Sequence, residues 1–292
     1  MPSRRQIRES VVQFLYCSDL EGGADPASLR EPFWKFLTES DRRALVLATW
    51  KTIQHLNLGR EGRYTEFLKR LPVAQASLRA AEELEPLSKK LSRIEELEER
   101  WSELIDSTSK IQKDGEADDI NQRFSQRFEE LFSLNRDLSS ARTEFLKASE
   151  DHPQLRPQLE PIHGSLHRLE RISERLRMIE KPESFPDHAE LKKIRDSKAE
   201  IETLRKESDR IVDAVLQERE AIDGALEQIV DNFAPERIDP IDRAILRLAT
   251  WEILHNPDVP KPVAINEAIE IAKKFGTTDS GRFVNGILDR IQ

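Results

Sequence analysis

Residues 238–254, IDPIDRAILRLATWEIL, and residues 258–291, DVPKPVAINEAIEIAKKFGTTDSGRFVNGILDRI, carry the densest local signals in the chain. Asp239-Pro240 pairs an N-cap residue with proline at the first helical position. Ile241, Ile245, Leu248 and Ile253 then follow at helical spacing. Asn256-Pro257-Asp258 and Pro260 form a loop, and Pro262 opens a helix carrying Ala264, Ile265, Ala268, Ile269 and Ala272. Gly276 falls where a helix is closed by a residue in the left-handed conformation. Thr277, Thr278, Asp279 and Ser280 offer caps for a last helix through Phe283, Val284, Ile287 and Leu288. Upstream, residues 216–233 predict a helix with Ile222, Leu226, Ile229 and Val230 inward, ended by Asn232 and Pro235.

The rest of the chain shares this helical texture. Charged residues make up 35% of the 292 residues, aromatics 6%, and there are ten Gly. The abundant Leu, Glu, Lys and Arg lose little side-chain freedom in a helix, so the reading is all-α. A hydrophobic content of 37% suits long exposed helices better than one thick core. Cys17 is the single cysteine, which excludes an intramolecular disulfide and fits a reducing compartment. No window of about 18 apolar residues predicts a membrane span, and no apolar signal core follows the basic start. The expected location is the cytoplasm. A net charge of −9 argues against broad nucleic-acid affinity. Residues 1–58 nevertheless carry 8 Lys and Arg against 7 Asp and Glu, with Arg4, Arg5 and Arg8 clustered at the start. Any RNA contact is therefore expected to be local.

Three regions separate. In residues 1–58, Ile7, Val11, Phe14 and Leu15 predict an amphipathic helix that Gly22 and Gly23 end. Pro32 opens a short segment with Phe33, Trp34, Phe36 and Leu37. Ser40 and Asp41 cap a helix through Trp50 and Ile53, which Gly59 and Gly62 break. In residues 59–215, Phe124, Leu131, Leu138 and Phe145 sit at seven-residue intervals. Similar stripes run from Leu87 to Ile105 (interrupted by Glu98), from Leu155 to Ile179 and from Leu191 to Val215. Breaks near Asp114-Gly115, Asp151-His152-Pro153 and Lys181-Pro182 to Pro186 predict coiled-coil-like antiparallel helices in an elongated hairpin or bundle. Residues 216–292 form the C-terminal helical bundle.

The two quoted stretches resemble the C-terminal half of the NusB family: an Ala-Ile/Val-Leu-Arg helix, a D-[VI]-P loop, I-N-E-A-[IV]-E-[LI]-A-K and F-V-N-G-[VI]-L. RRQIRESVVQFLYCSDL at 4–20 is similar to that family's first helix. The resemblance implies two small helical bundles and transcription antitermination on ribosomal RNA operons, without catalysis. The implied partners are NusE, a small-subunit ribosomal protein, single-stranded boxA RNA and the RNA polymerase antitermination complex, with no membrane. It departs from the family by about 157 residues inserted around the third helix. Either YTEFLKRL at 64–71 or AIDGALEQIV at 221–230 continues that helix, and Ile222-Asp223 favours the second.

Carried over residue by residue, Arg4, Arg5, Arg8, Tyr16 and Lys273 are the RNA-contact candidates. Guanidinium groups pair with phosphates and stack on bases, and tyrosine stacks on unpaired bases. Gln6 stands where a further basic residue is common. Glu236, Asp242 and Asp279 are the candidates for facing a basic protein partner. Helix capping is a competing reading of Asp279, and the helix macrodipole is one for Lys273 and Lys274. His163 and His167, four apart, lack the glutamate of a zinc-hydrolase helix, and Gly164 stands in its place. No catalytic residue, metal or cofactor is expected. An RNA-modifying enzyme would need a Rossmann-type domain with a glycine-rich cofactor loop after this module, and that reading is not expected. In the alternative reading, an adaptor or scaffold, the middle region binds proteins and the NusB-like core only docks. Apolar stripes not buried within the chain would serve a homodimer.

Overall fold

The computed structural model describes residues 1–21, 25–111, 117–229 and 237–291. They hold eleven helices and no strand: α1 (Arg4–Leu20), α2 (Pro26–Leu37), α3 (Glu39–Leu78), α4 (Glu85–Ser109), α5 (Ala117–Glu150), α6 (Arg156–Glu180), α7 (Lys192–Gln217), α8 (Arg219–Glu227), α9 (Pro240–His255), α10 (Lys261–Phe275) and α11 (Ser280–Leu288). No described helix is long and apolar enough to cross a membrane. The chain divides into two compact units, Met1–Glu39 with Lys198–Gln292, and Ser40–Ser197. Sequence patterning put these limits at 58/59 and 215/216. The first differs because α3 runs unbroken through Gly59 and Gly62, and the second because the apolar period of α7 runs on past the change of neighbours.

In the first unit, α1 opens with a reciprocal cap. The Gln6 N–H donates to Ser3 Oγ at 3.1 Å and the Ser3 N–H to Gln6 Oε1 at 2.7 Å. Gln6 is thus occupied in starting the helix. Asp25 caps α2, accepting from the Ala27 N–H at 3.0 Å. Pro32 therefore lies inside α2 and does not open it. Val11, Phe14, Leu15, Trp34, Val212, Val215, Ile222, Leu226, Ile245, Leu248, Ala272, Val284 and Leu288 share one core. The end of the stripe read as coiled coil, at Ile211 and Val215, is part of it. Trp34 Nε1 donates to Asp209 Oδ1 at 2.9 Å, and Arg30 pairs with Asp209 at 2.9 Å, fixing α2 on α7. Phe14 and Phe33 meet edge to face at 5.2 Å.

Asp239 caps α9 as its sequence predicts, accepting from the Ile241 N–H at 2.9 Å. Gly276 ends α10 for another reason than the one expected. Its φ of −92° and ψ of −167° are extended, not left-handed. A Cβ there would lie 2.5 Å from Ser280 Oγ and 2.8 Å from the Ala272 carbonyl, so crowding requires the glycine.

The second unit is an antiparallel bundle of α3, α4, α5 and α6. Trp50, Ile53 and Leu56 meet Leu97, Trp101 and Ile105 of α4, Phe124 to Leu138 of α5, and Ile172 to Ile179 of α6. At the other end, Phe67, Leu71 and Leu78 meet Leu84 to Ile94, Phe145 and Leu159 to Leu169. Up-down-up-down order follows, because early residues of one helix pack with late residues of the next. Gly59 and Gly62 do not break α3. Apolar burial on both sides of them outweighs a helix cost of about 1 kcal/mol per glycine.

Glu98, which interrupts the apolar stripe of α4, sits in a polar layer within this core. Arg60 Nη2 donates to Glu98 Oε2 at 2.6 Å, and Arg142 Nη2 donates to Glu98 Oε1. Arg142 Nη1 also reaches Ser173 Oγ at 2.7 Å and Glu170 Oε2 at 3.0 Å. Asn135 Nδ2 donates to the Ser173 carbonyl at 3.1 Å. His163 lies half-buried, edge-on to Phe145 at 5.9 Å, and burial pushes its imidazole pKa down. No group of three or more His, Cys, Asp or Glu side chains able to hold a metal occurs among the described residues.

Candidate nucleic-acid interface

The three N-terminal arginines do not form one face. Arg4 and Arg8 are one turn apart, whereas Arg5 is rotated about 100° from Arg4. Arg5 reaches α10, where Nε and Nη2 donate to both oxygens of Glu267 at 2.9 and 2.8 Å. That bond holds the Glu267 carboxyl below the usual carboxylate range and raises the Arg5 guanidinium further. Arg5 stays half-exposed, so this rim pair is one an anionic ligand can compete with.

Arg8 is buried, contrary to its reading as a surface arginine. Its side chain is 8% exposed, and Nε donates to Glu252 Oε1 at 2.8 Å and Oε2 at 3.1 Å. Burial pushes the Glu252 carboxyl up, and Arg8 opposes that shift. The helical period puts Arg8 beside Arg4, but only α9, 244 residues on, supplies the acid that draws it inward. Arg4 is exposed and has no ion-pair partner among the described residues.

Glu9 and Tyr16, both partly buried, follow on α1. Lys274 Nζ donates to Glu9 Oε2 at 2.8 Å, making a second link between α1 and α10. Tyr16 is half-buried, with its ring against the core. Lys273 points elsewhere: its Cγ lies where it would meet a Cβ on Gly281 of α11 at 3.7 Å, and its Nζ binds Glu270 at 2.8 Å. Lys274 is therefore the α10 cation that faces α1. Its spacing of seven from Glu267 carried that signal.

The acidic candidates also separate. Asp242 is buried and does not face a partner. Its Oδ2 accepts from Ser280 Oγ at 3.0 Å, joining α9 to α11, and its Oδ1 has no partner among the described residues. Burial pushes this carboxyl up. Asp279 is open, with its side chain 84% exposed, and caps nothing with its carboxylate. Ser280 Oγ takes the Thr277 N–H there at 2.9 Å. Glu236 lies outside the described residues.

A network that sequence patterning missed joins α1, α8 and α9. Asp19 accepts from Arg243 Nε at 2.7 Å and from Arg247 Nη1 at 2.7 and 2.9 Å. Arg247 also donates Nε and Nη2 to Asp223 at 2.8 and 2.9 Å, and Arg219 lies 3.4 Å from Asp19. Ile222-Asp223 and the arginine of the Ala-Ile-Leu-Arg helix were visible as motif positions. Their pairing was not, because Asp19 comes from 228 residues away. Nothing in this network resembles a reaction centre. It orients α1 on the C-terminal helices.

Residues 168–292 match the NusB family model. Transcription antitermination protein NusB of Sorangium cellulosum is 43% identical over 84 residues, covering 29% of this chain and 60% of that protein. Its counterpart in Geotalea daltonii is 52% identical over 81 residues, covering 28% and 56%. A solved structure of T. maritima NusB is 36% identical and covers 37% of this chain and 78% of that one, with a TM-score of 0.30. The C-terminal part of the chain carries a NusB family domain. The match includes α7 and the end of α6, both of which periodicity had assigned to the insertion. The chain spans 56% to 60% of the length of these two curated relatives.

Proposed function

We propose that this protein is an RNA-binding transcription antitermination factor that acts with NusE on boxA-type RNA of ribosomal RNA operons, as part of the RNA polymerase antitermination complex in the cytoplasm. The observation that carries this reading is the run of 43–52% identity to proteins named for transcription antitermination. The docking of α1 onto the matched helices, through Arg5–Glu267 and Arg8–Glu252, supports it. Binding requires no catalysis. Arg4 and Arg5 meet phosphate, Tyr16 offers part of a ring for stacking, and Lys273 adds charge beside α11. Asp279, open at the head of α11, remains the acidic candidate for a basic partner.

The test is a salt-dependent titration of the full chain with a boxA-like RNA, with and without NusE. Binding that tightens with NusE and weakens in an Arg4→Ala/Arg5→Ala variant is expected. Arg8 is left intact, because removing it would strand Glu252. No NusE-dependent gain, or full affinity in the double variant, would refute the reading. The adaptor reading rests on the self-contained core of Ser40–Ser197, and predicts loss of function without loss of RNA affinity when that bundle is deleted.

A further inference from the structure

A groove of about 300 Å³ lies between the start of α1, the middle of α7 and the loop after α9. At its floor is Arg8, more than nine-tenths buried. Only Nε of that guanidinium is engaged, by Glu252, and neither Nη group bonds to a described residue. Glu252 therefore fixes the guanidinium plane and leaves its terminal donors open to the groove. The side chain of Asn256, half-buried on the loop, has no hydrogen-bond partner among the described residues either. Ile7, Ile211 and Val259 give the groove apolar walls. Arg4 and Arg210 line it as well, and Arg210 is 64% exposed and pairs with Glu207 at 3.3 Å.

We propose that this groove takes one unstacked guanine base of single-stranded RNA, with Arg8 and Asn256 reading the base and Glu252 as the positioning residue for Arg8. The proposal rests on the RNA-binding reading above and names a subsite within it. An arginine has donors and no acceptor, so it suits the adjacent O6 and N7 acceptors of guanine. Adenine puts a donor beside N7 and fits worse. The carboxylates of Glu207 and Asp258, which line the same groove, are acceptors for the N1–H and N2–H groups on the other edge of guanine. The volume is at the low end for ligand pockets, about 300–1,000 Å³, and matches a single base. Arg4 and Arg210 are placed for the flanking phosphates. Arg210 belongs to α7, so the helix that periodicity assigned to the insertion contributes to the RNA surface.

The experiment uses the full chain and 12-nucleotide oligouridylates with one central guanosine, one central adenosine or neither, followed by fluorescence anisotropy, with free GMP as a separate arm. The guanosine oligomer is expected to bind about tenfold tighter than the other two, and GMP far more weakly than any oligomer. Asn256→Ala and the groove-filling Val259→Phe should abolish the guanosine gain, bringing the guanosine oligomer down to the affinity that the same variant shows for the oligouridylate. Glu252→Gln should shrink the guanosine-to-adenosine ratio, whereas a folding defect would weaken all three oligomers alike. Equal binding of the three oligomers, a guanosine gain that survives Val259→Phe, or GMP binding as tightly as the oligomer overturns the subsite. Failure of every oligomer and of boxA RNA to bind at low salt overturns the RNA-binding reading itself.

Discussion

Replacing Glu98 with alanine is expected to destabilise the α3–α6 bundle by about 3 kcal/mol, which follows from the geometry of its polar layer. Glu98 is fully buried, and the Arg60 and Arg142 side chains it pairs with are each 3% exposed. Removing one partner of a buried ion pair costs roughly 3–5 kcal/mol, because the remaining charge keeps its desolvation cost without its counter-ion. Here two cations would be stranded, yet each keeps other partners. Arg60 retains the Glu98 carbonyl at 2.8 Å, Ser102 Oγ at 3.1 Å and the faces of Tyr64 and Trp101 at 4.5 and 5.3 Å. Arg142 retains Glu170 and Ser173. These residual contacts place the loss at the low end of the range. For a unit of this size, a loss of about 3 kcal/mol corresponds to a Tm fall of roughly 6–12 °C. Urea and thermal unfolding followed by circular dichroism would measure it, and added salt should leave it nearly unchanged because the pairs are dry. A companion variant, Glu98→Leu with Arg60→Met and Arg142→Met, should be neutral or more stable than wild type. A Glu98→Ala loss below about 1 kcal/mol would refute the reasoning, since it would mean that both arginines escape to water.

Asp242→Asn should raise stability at neutral pH by about 1 kcal/mol, because the amide has no charge to desolvate while its oxygen can still accept from Ser280 Oγ. Because burial raises the folded-state pKa of Asp242, its contribution is fully present below the ordinary carboxylate pKa of about 4 and is lost as pH rises through the folded value. Wild-type Tm should therefore decline over that window, and the Asn variant should lack this component. Identical pH profiles for the two proteins would exclude the assignment. Gly59→Ala and Gly62→Ala should each stabilise α3 by about 1 kcal/mol, since an added Cβ meets nothing within 4 Å at either position. A lowered Tm in either variant would mean that the glycine serves a contact or bend rather than being tolerated.

Much of the fold was legible because it rests on local chemistry. Asp239-Pro240 starts α9 where a capping residue precedes an apolar period. The seven-residue spacing of Phe124, Leu131, Leu138 and Phe145 marks a buried stripe, and all four are at most 2% exposed. Helix ends were less legible. Gly59 and Gly62 read as a stop because propensity is local, whereas the packing that carries α3 through them comes from three other helices. The domain limits moved for a related reason: Ile211 and Val215 keep the same period whichever core they enter.

The amino-acid order by itself determined that the chain is helical, that its C-terminal stretch belongs with a first helix some 200 residues away, and which residues of each helix share a face. The tertiary structure alone decided which of those residues face outward. Arg4, Arg5 and Arg8 are near neighbours in sequence, yet one has no ion-pair partner among the described residues, one lies in an exposed pair and one is buried against Glu252. Asp242 and Asp279 are both acids at helix starts, but Ser280 and burial claim the first and leave the second open. The physical reason is that a helical period specifies direction about one axis. Burial and charge pairing depend on what another helix brings to the same place, and for these residues that partner lies tens to hundreds of positions away.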